Sequence, residues 1–190
     1  MKEVHIIGAG GIGWWFTVGL ASSCPLPIHV YDDDEVIGSG AQRLPIGVGN
    51  KTQALSSFIR YVMGKGNIHT HDIKFTGTEA SDGDWIFDCS DAGENDRKKI
   101  WTKARKKETK IMRVSYDGDE DIIEVSSELP FWVGDMTEGY REVPSLQLSL
   151  AAGGIGAVIA DKIIQRNETV PKTIQINLET AMQLGKEEVA

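Results

Sequence analysis

The most constraining feature of this chain is at its start. Val4-His5-Ile6-Ile7 is a short apolar run, and GAGGIG follows it directly. Gly8, Gly10 and Gly13 therefore stand in a G-x-G-x-x-G pattern where a strand would hand over to a helix. The first glycine suits a tight turn, the second lets phosphate approach the backbone, and the third lets the helix pack on the sheet. The helix that follows offers free N–H groups and the positive end of its dipole to an anion. Asp32 lies nineteen residues after Gly13, at the end of a second apolar run. An acid there can accept hydrogen bonds from ribose hydroxyls. The pattern points to a nucleotide without saying which one. A packing turn without a ligand, and a solvated acid at a strand end, remain the alternatives.

The rest of the chain alternates strand and helix signals. Strands are expected at Val4 to Ile7, Ile28 to Tyr31, Ile68 to His71, Trp85 to Cys89, Lys110 to Tyr116, Ile122 to Ser126 and Thr173 to Leu178. Helices are expected at Gly11 to Ser22, Asn50 to Met63 with Asn50 as N-cap, Asn95 to Lys107, and Ser145 to Arg166. A long glycine-bearing loop fills Asp33 to Val48, and an irregular aromatic stretch fills Glu128 to Val143. The link Asp117-Gly118-Asp119 is too short for a crossover, so the sixth strand should run antiparallel. The order implies an α/β fold: a Rossmann-like, doubly wound, mostly parallel sheet with a small antiparallel extension. No internal repeat or linker divides residues 1–190, which read as a single nucleotide-binding domain. In such a sheet the ligand lies at the carboxyl ends of the strands, where the glycine turn, Asp32 and Asp91 would converge.

Composition removes several classes. The net charge of −8 disfavours nucleic acid and anionic membranes as partners. No apolar run is expected to reach the ~20 residues of a membrane span, and no basic segment precedes the first strand. The protein is expected in the cytoplasm. Its two cysteines, Cys24 and Cys89, are too few for a disulfide framework. Cys89 reads as a small buried core residue rather than a nucleophile. His69 and His71 alternate on one strand face; a metal pair would need a third ligand, and core or surface histidine is the simpler reading. The basic face of the third helix, from Arg97 to Lys107, reads mainly as a solvated surface.

Four segments, taken in order, narrow the reading. DDDEVIGSGAQR runs from Asp32 to Arg43, GVGNKTQA from Gly47 to Ala54, DCSDAGENDR from Asp88 to Arg97, and AAGGIGAVIADKII from Ala151 to Ile164. Together they resemble the ThiF/MoeB/HesA family of ubiquitin-activating-type adenylating enzymes, with Asp32, Asp34, Val36, Ser39 and Arg43 in register with the family's acidic-to-arginine stretch. The resemblance implies ATP and Mg2+ as cofactors. It implies an ATP-dependent adenylyltransferase that activates the C-terminal carboxylate of a small ubiquitin-like or sulfur-carrier protein ending in Gly-Gly, and a homodimer. It makes Gly8, Gly10, Gly11 and Gly13 the phosphate turn, Asp32 the ribose acceptor and Asp34 a second acid near the phosphates. Arg43 and Lys51 would neutralise phosphate charge, and Asp91 would hold Mg2+. For Asp34 a solvated acidic run, and for Asp91 a helix N-cap, stay open as alternatives. Arg97 matches the family's helix arginine and would otherwise pair with an acid.

The chain also departs from that family. Gly40 stands where the family has asparagine, and Leu44 where it has glutamine. No C-x-x-C pair supplies the structural zinc site of many members, and no cysteine lies between Gly118 and Tyr140 for thioester transfer. The family's N-terminal helix, with an arginine for the partner subunit's phosphates, is not expected ahead of the first strand. Trp14 and Trp15 follow Gly13 where smaller residues are usual, either beside the ligand or under the last helix. These departures carry the alternative of a nucleotide-binding partner protein with weakened catalysis. An NAD-dependent oxidoreductase fits less well, because Asp34, Arg43 and Lys51 would have no role in it.

Overall fold

The computed structural model describes residues 2–36, 44, 49–64, 67–117, 122–128, 145–178 and 180. Its elements in chain order are β1 (Val4–Ile7), α1 (Gly11–Ala21), β2 (Ile28–Tyr31), β3 (Glu35–Val36), β4 (Gly49–Asn50), α2 (Lys51–Met63), β5 (Ile68–His71), β6 (Trp85–Asp88), α3 (Glu94–Arg105), β7 (Lys110–Asp117), β8 (Ile122–Ser126), α4 (Leu146–Arg166) and β9 (Thr173–Asn177). Seven strands form one sheet in the order β5-β2-β1-β6-β7-β8-β9. The first five are parallel, and β8 and β9 are antiparallel. This is the expected Rossmann-like α/β architecture with its antiparallel extension. From β1 the chain builds outward to β2 and β5, then returns to place β6 on the other side of β1. The strand order therefore reverses between β1 and β6, where an open α/β sheet has its ligand crevice.

Local chemistry accounts for the boundaries. Asn50 caps α2, its side chain accepting from the Gln53 N–H at 3.0 Å, and Gly64 ends the helix with a left-handed φ of 71°. Ser145 caps α4 in the same way, accepting from Leu148 N–H at 3.1 Å. α3 starts at Glu94 and stops at Arg105, short of the expected Lys107. Lys107 already turns back to the Ala104 carbonyl, and Glu108 takes a left-handed φ of 53°. The loop expected from Asp33 to Val48 is pinned at both ends. β3 and β4 pair antiparallel, Glu35 with Asn50 and Val36 with Gly49, and this two-residue pairing is below what strand periodicity can reveal.

The main core lies between the sheet and α1, α2 and α4. Val4, Ile6, Val30 and Phe87 of the sheet meet Trp14, Phe16, Leu55 and Ala157 there. α4 reaches α1 closely because it carries glycine at the contact. A Cβ on Gly153 would stand 2.7 Å from the Phe16 nitrogen and 2.8 Å from the Ile12 carbonyl oxygen. Trp14 is fully buried, 5.7 Å from the Phe58 ring of α2, and Trp15 backs onto Gly153. α4 also corrects the expectation that no apolar run reaches membrane length. Its 21 residues are long and apolar enough to cross a membrane by length and composition. Its buried small residues, Ala152, Gly153, Gly156, Ala157 and Ala160, instead face the core.

Candidate functional site

The crevice between β1 and β6 is a cavity of about 880 Å³, and the connections after β1, β2, β5 and β6 build it. The glycine turn after β1 supplies its floor. Gly8 has a φ of 90°, a value open to glycine, and faces the chain after β6, where a Cβ would stand 3.1 Å from the Cys89 carbonyl oxygen. Gly13 faces back into the turn, where a Cβ would overlap the Gly8 carbonyl oxygen. Gly10 differs from both. A Cβ there would meet nothing within 4 Å, so packing within the described chain does not require this glycine. It caps α1 at the cavity wall, beside Gly11 and Ile12. The first-turn N–H groups of a helix have no intrahelical acceptor, and α1 carries no acid in that turn to use them.

The connection after β2 brings the acids. Asp32 Oδ2 accepts the Ala9 N–H at 2.7 Å and Oδ1 accepts the Asp34 N–H at 2.9 Å, which ties the tip of β2 to the glycine turn. Burial pushes the Asp32 carboxyl up, and although these amides and Lys51 pull the other way it stays above its ordinary value. Lys51, the first residue of α2, extends Nζ to Asp34 Oδ2 at 2.9 Å and to Asp32 Oδ1 at 3.5 Å. Burial works against its ammonium, yet Asp34, Asp32 and Asp91 together raise it above its ordinary value. Lys51 is thus a firmly charged cation held among three acids. Arg43, Ser39 and Gly40 lie outside the described residues.

The connection after β6 brings Cys89, Ser90 and Asp91. Asp91 is exposed and lines the cavity opposite Lys51. It is not the cap of α3; that position is Gly93, and no side chain bonds there. Cys89 is buried beneath the glycine turn, and burial together with Asp88 pushes its thiol well above the ordinary value. It is a packing residue, as its position in a strand run implied.

Residues that carry no local signal complete the site. Asp88, on the buried face of β6, accepts the Ser90 hydroxyl at 2.6 Å and the Trp101 indole N–H at 2.8 Å, and pairs with Arg97 Nε at 3.4 Å. Arg97 donates onward to the Ser90 carbonyl at 3.2 Å. Arg97 is therefore the buried clamp of the loop that carries Asp91, rather than a solvated helix residue. The basic face of α3 is largely exposed, as expected, but it is not only a solvated surface. Lys99 and Lys103 line the cavity with Lys74 and Arg113, and Lys107 holds the Thr78 and Ala80 carbonyls. These cations come from three separate segments, so no single stretch of sequence announces them. The cavity brings Gly8, Gly10, Gly11, Asp32, Asp34, Lys51 and Asp91 together. Gly13 supports it from behind.

No protein-family model and no curated protein matches the sequence. Solved structures share the fold. E. coli MccB determined with ATP superimposes with a TM-score of 0.73 at 16% identity, covering 92% of this chain and 60% of that one. The Microcin C7 biosynthetic enzyme MccB in complex with N-formylated MccA gives 0.73 at 16%, over 92% and 61%. PaaA gives 0.68 at 18%, over 94% and 61%. The chain spans about three fifths of the length of these proteins. At this identity the likeness is one of fold.

Proposed function

We propose that residues 1–190 form a nucleotide-binding domain of the ThiF/MoeB/HesA type, which binds ATP with Mg2+ and adenylates the C-terminal carboxylate of a small ubiquitin-like carrier ending in Gly-Gly. The observation that carries this reading is the convergence, at the reversal of strand order, of an open glycine turn, the Asp32–Lys51–Asp34 group and Asp91. The fold shared with MccB, solved with ATP and with N-formylated MccA, supports it.

In this reading Gly10 and Gly11 present backbone N–H groups to phosphate, and Asp32 holds the ribose hydroxyls. Lys51 swings from Asp34 to the triphosphate, joined by Arg43. Asp91 is an exposed oxygen donor, which suits a hard, largely hydrated ion, and it would hold Mg2+. The ion would offset charge on the departing pyrophosphate. The lysines of α3 and Lys74 raise the positive potential at the cavity. Self-association belongs to the same reading, and α4 exposes Leu146, Leu150 and Val158 for it. The cytoplasm is the proposed location.

A nucleotide-binding partner with weakened catalysis is the second reading, and one observation favours it. Leu44, in place of the family's glutamine, is buried in the main core and offers no polar group.

Calorimetric titration of the purified protein with ATP·Mg2+, and with NAD+ as comparator, tests the nucleotide step on wild type, Asp32→Ala and Arg43→Ala. The expected result is ATP binding weakened by both substitutions. Binding of NAD+ alone would sink the reading. Pyrophosphate exchange with a Gly-Gly-ended carrier then separates the enzyme from its inactive counterpart.

A further inference from the structure

The end of the sheet opposite the cavity carries a second constellation. β1, β2 and β5 pair in register so that His5, His29 and His69 are direct neighbours. Their rings stack, His5 to His29 at 5.4 Å and His29 to His69 at 4.8 Å between centroids. Both inner histidines turn Nε2 toward a carboxylate. His5 Nε2 lies 3.1 Å from Asp84 Oδ2, and His29 Nε2 lies 3.4 Å from Glu3 Oε2. The donor atoms of Glu3, His5 and Asp84 all lie within 4.8 Å of one another.

We propose that Glu3, His5, Asp84 and His29 form a binding site for one divalent transition-metal ion of the zinc class. The donor set of two imidazoles and two carboxylates suits such an ion. Ligands of a tetrahedral zinc stand about 3.3 Å apart, given bonds of about 2.0–2.1 Å. Each imidazole–carboxylate pair already has that spacing, at 3.1 and 3.4 Å; His29 lies outside the cluster of Glu3, His5 and Asp84, so the partly exposed Glu3 and His29 side chains must shift to close the ion's shell. The far side of each ring is held as a metal-bound imidazole requires. His5 Nδ1 lies 3.1 Å from the Tyr31 hydroxyl, and His29 Nδ1 lies 3.0 Å from His71 Nε2.

Burial divides the four ligands. The side chains of His5 and Asp84 are 1% exposed, whereas those of His29 and Glu3 are 18% and 39% exposed. Asp84 is fixed from behind by the Glu3 and Ser81 N–H groups at 2.9 and 2.7 Å. An ion would reach the buried pair from solvent past the other two. Without an ion, His5 bonds to Asp84 and Tyr31, so the chain folds metal-free and the ion adds stability by mass action. None of the four ligands lines the nucleotide cavity, although Tyr31 beside His5 does, and the site does not depend on the proposed adenylation.

The test titrates the full metal-free chain with Zn2+ by calorimetry, and with Co2+ by visible absorption. Four proteins are compared: wild type, Glu3→Gln, His29→Gln and His69→Gln. The first two substitutions fall on the half-exposed ligands, so folding is retained, and circular dichroism checks it. The expected result is one Zn2+ per chain, at least tenfold weaker in Glu3→Gln and in His29→Gln, and within twofold of wild type in His69→Gln. Co2+ should give the intense visible band of four-coordinate geometry, and ATP titration should be unchanged in all four proteins. Failure to bind saturably would overturn the proposal. So would retention in Glu3→Gln together with loss in His69→Gln, which would mark ordinary exposed histidines.

Discussion

The two faces of the sheet solve different problems. The face under α1, α2 and α4 is apolar throughout its centre and brings α4 against α1 with glycine in place of larger residues. The face under α3 has a small apolar cluster around Ile7, Tyr31, Phe75, Ile86 and Trp101, and beside it a run of buried polar groups: His5, Asp84, Asp88, Arg97, Arg113 and Ser115. Dispersion and area hold the first face together, and any added atom is felt there. On the second, His5, Asp84, Asp88 and Arg97 are held by hydrogen bonds whose partners are specific, so a removed atom is felt there. The polar face is also the one that shapes the loops at the cavity. The geometry of the cavity loops therefore rests on interactions less forgiving than those of the core.

The comparison can be broken in order of effect. Asp88→Ala takes from Arg97 and Trp101 the carboxylate both use, and should cost about 3–5 kcal/mol in urea denaturation. A loss under about 1 kcal/mol would show that the polar face is not specifically held. On the apolar face, Gly153→Val drives side-chain atoms into the α1 backbone and should cost about 1–3 kcal/mol. An unchanged midpoint would mean the two helices separate freely.

Asp32→Asn keeps the shape of the strand tip but removes its charge. ATP affinity should fall about tenfold to a hundredfold, the range of a lost charged hydrogen bond at ~1.5–3 kcal/mol, with calorimetry as the check. Gly154 sits one residue along the same helix as Gly153, and a Cβ there meets nothing within 4 Å. Gly154→Ala should therefore stabilise the protein by up to about 1 kcal/mol through helix propensity. Destabilisation there would mean that a partner already covers that face.

The smallest effect concerns the loop after β5. Glu79 accepts from the Thr76 N–H at 3.0 Å and the Thr76 hydroxyl at 2.9 Å. Burial works against the charged carboxylate, but these bonds outweigh it and hold the group below its ordinary value of 4.5. The folded state then binds fewer protons than the unfolded state as pH falls past 4.5. The stabilisation is present above that pH and is lost as pH drops through the folded value. Glu79→Gln should lower stability at pH 7 by less than about 1 kcal/mol, and the difference should vanish toward pH 3. A gap that persists in acid would assign the effect to packing.

Much of this was legible along the chain. The glycine turn, the cap at Asn50, the antiparallel β8 and the limits of β5 follow from rules that act within a few residues. Asp32 and Asp91 could be named because each follows the end of an expected strand, whereas Asp34 and Lys51 were named through the family resemblance of their segments. Arg97 was visible as a residue but not as a clamp, since its partner Asp88 belongs to another element. The lysines of α3 read as a solvated face and most are exposed, but helical periodicity does not report that Lys99 and Lys103 also border the cavity. The four histidines showed only the alternation of His69 and His71. Their stacking depends on strand register, which is a property of pairs of segments.

The sequence by itself determined the order of elements, the class of sheet and the turn at which an anion can meet a helix, because propensity, capping and glycine conformation are local. The tertiary structure decided which charges share the cavity, which acid clamps the loop after β6, and which carboxylates face the histidines. Those outcomes follow from the pairing of distant strands and the crossing of helices, where contact energies of a few kcal/mol are set by neighbours that no short stretch of chain contains.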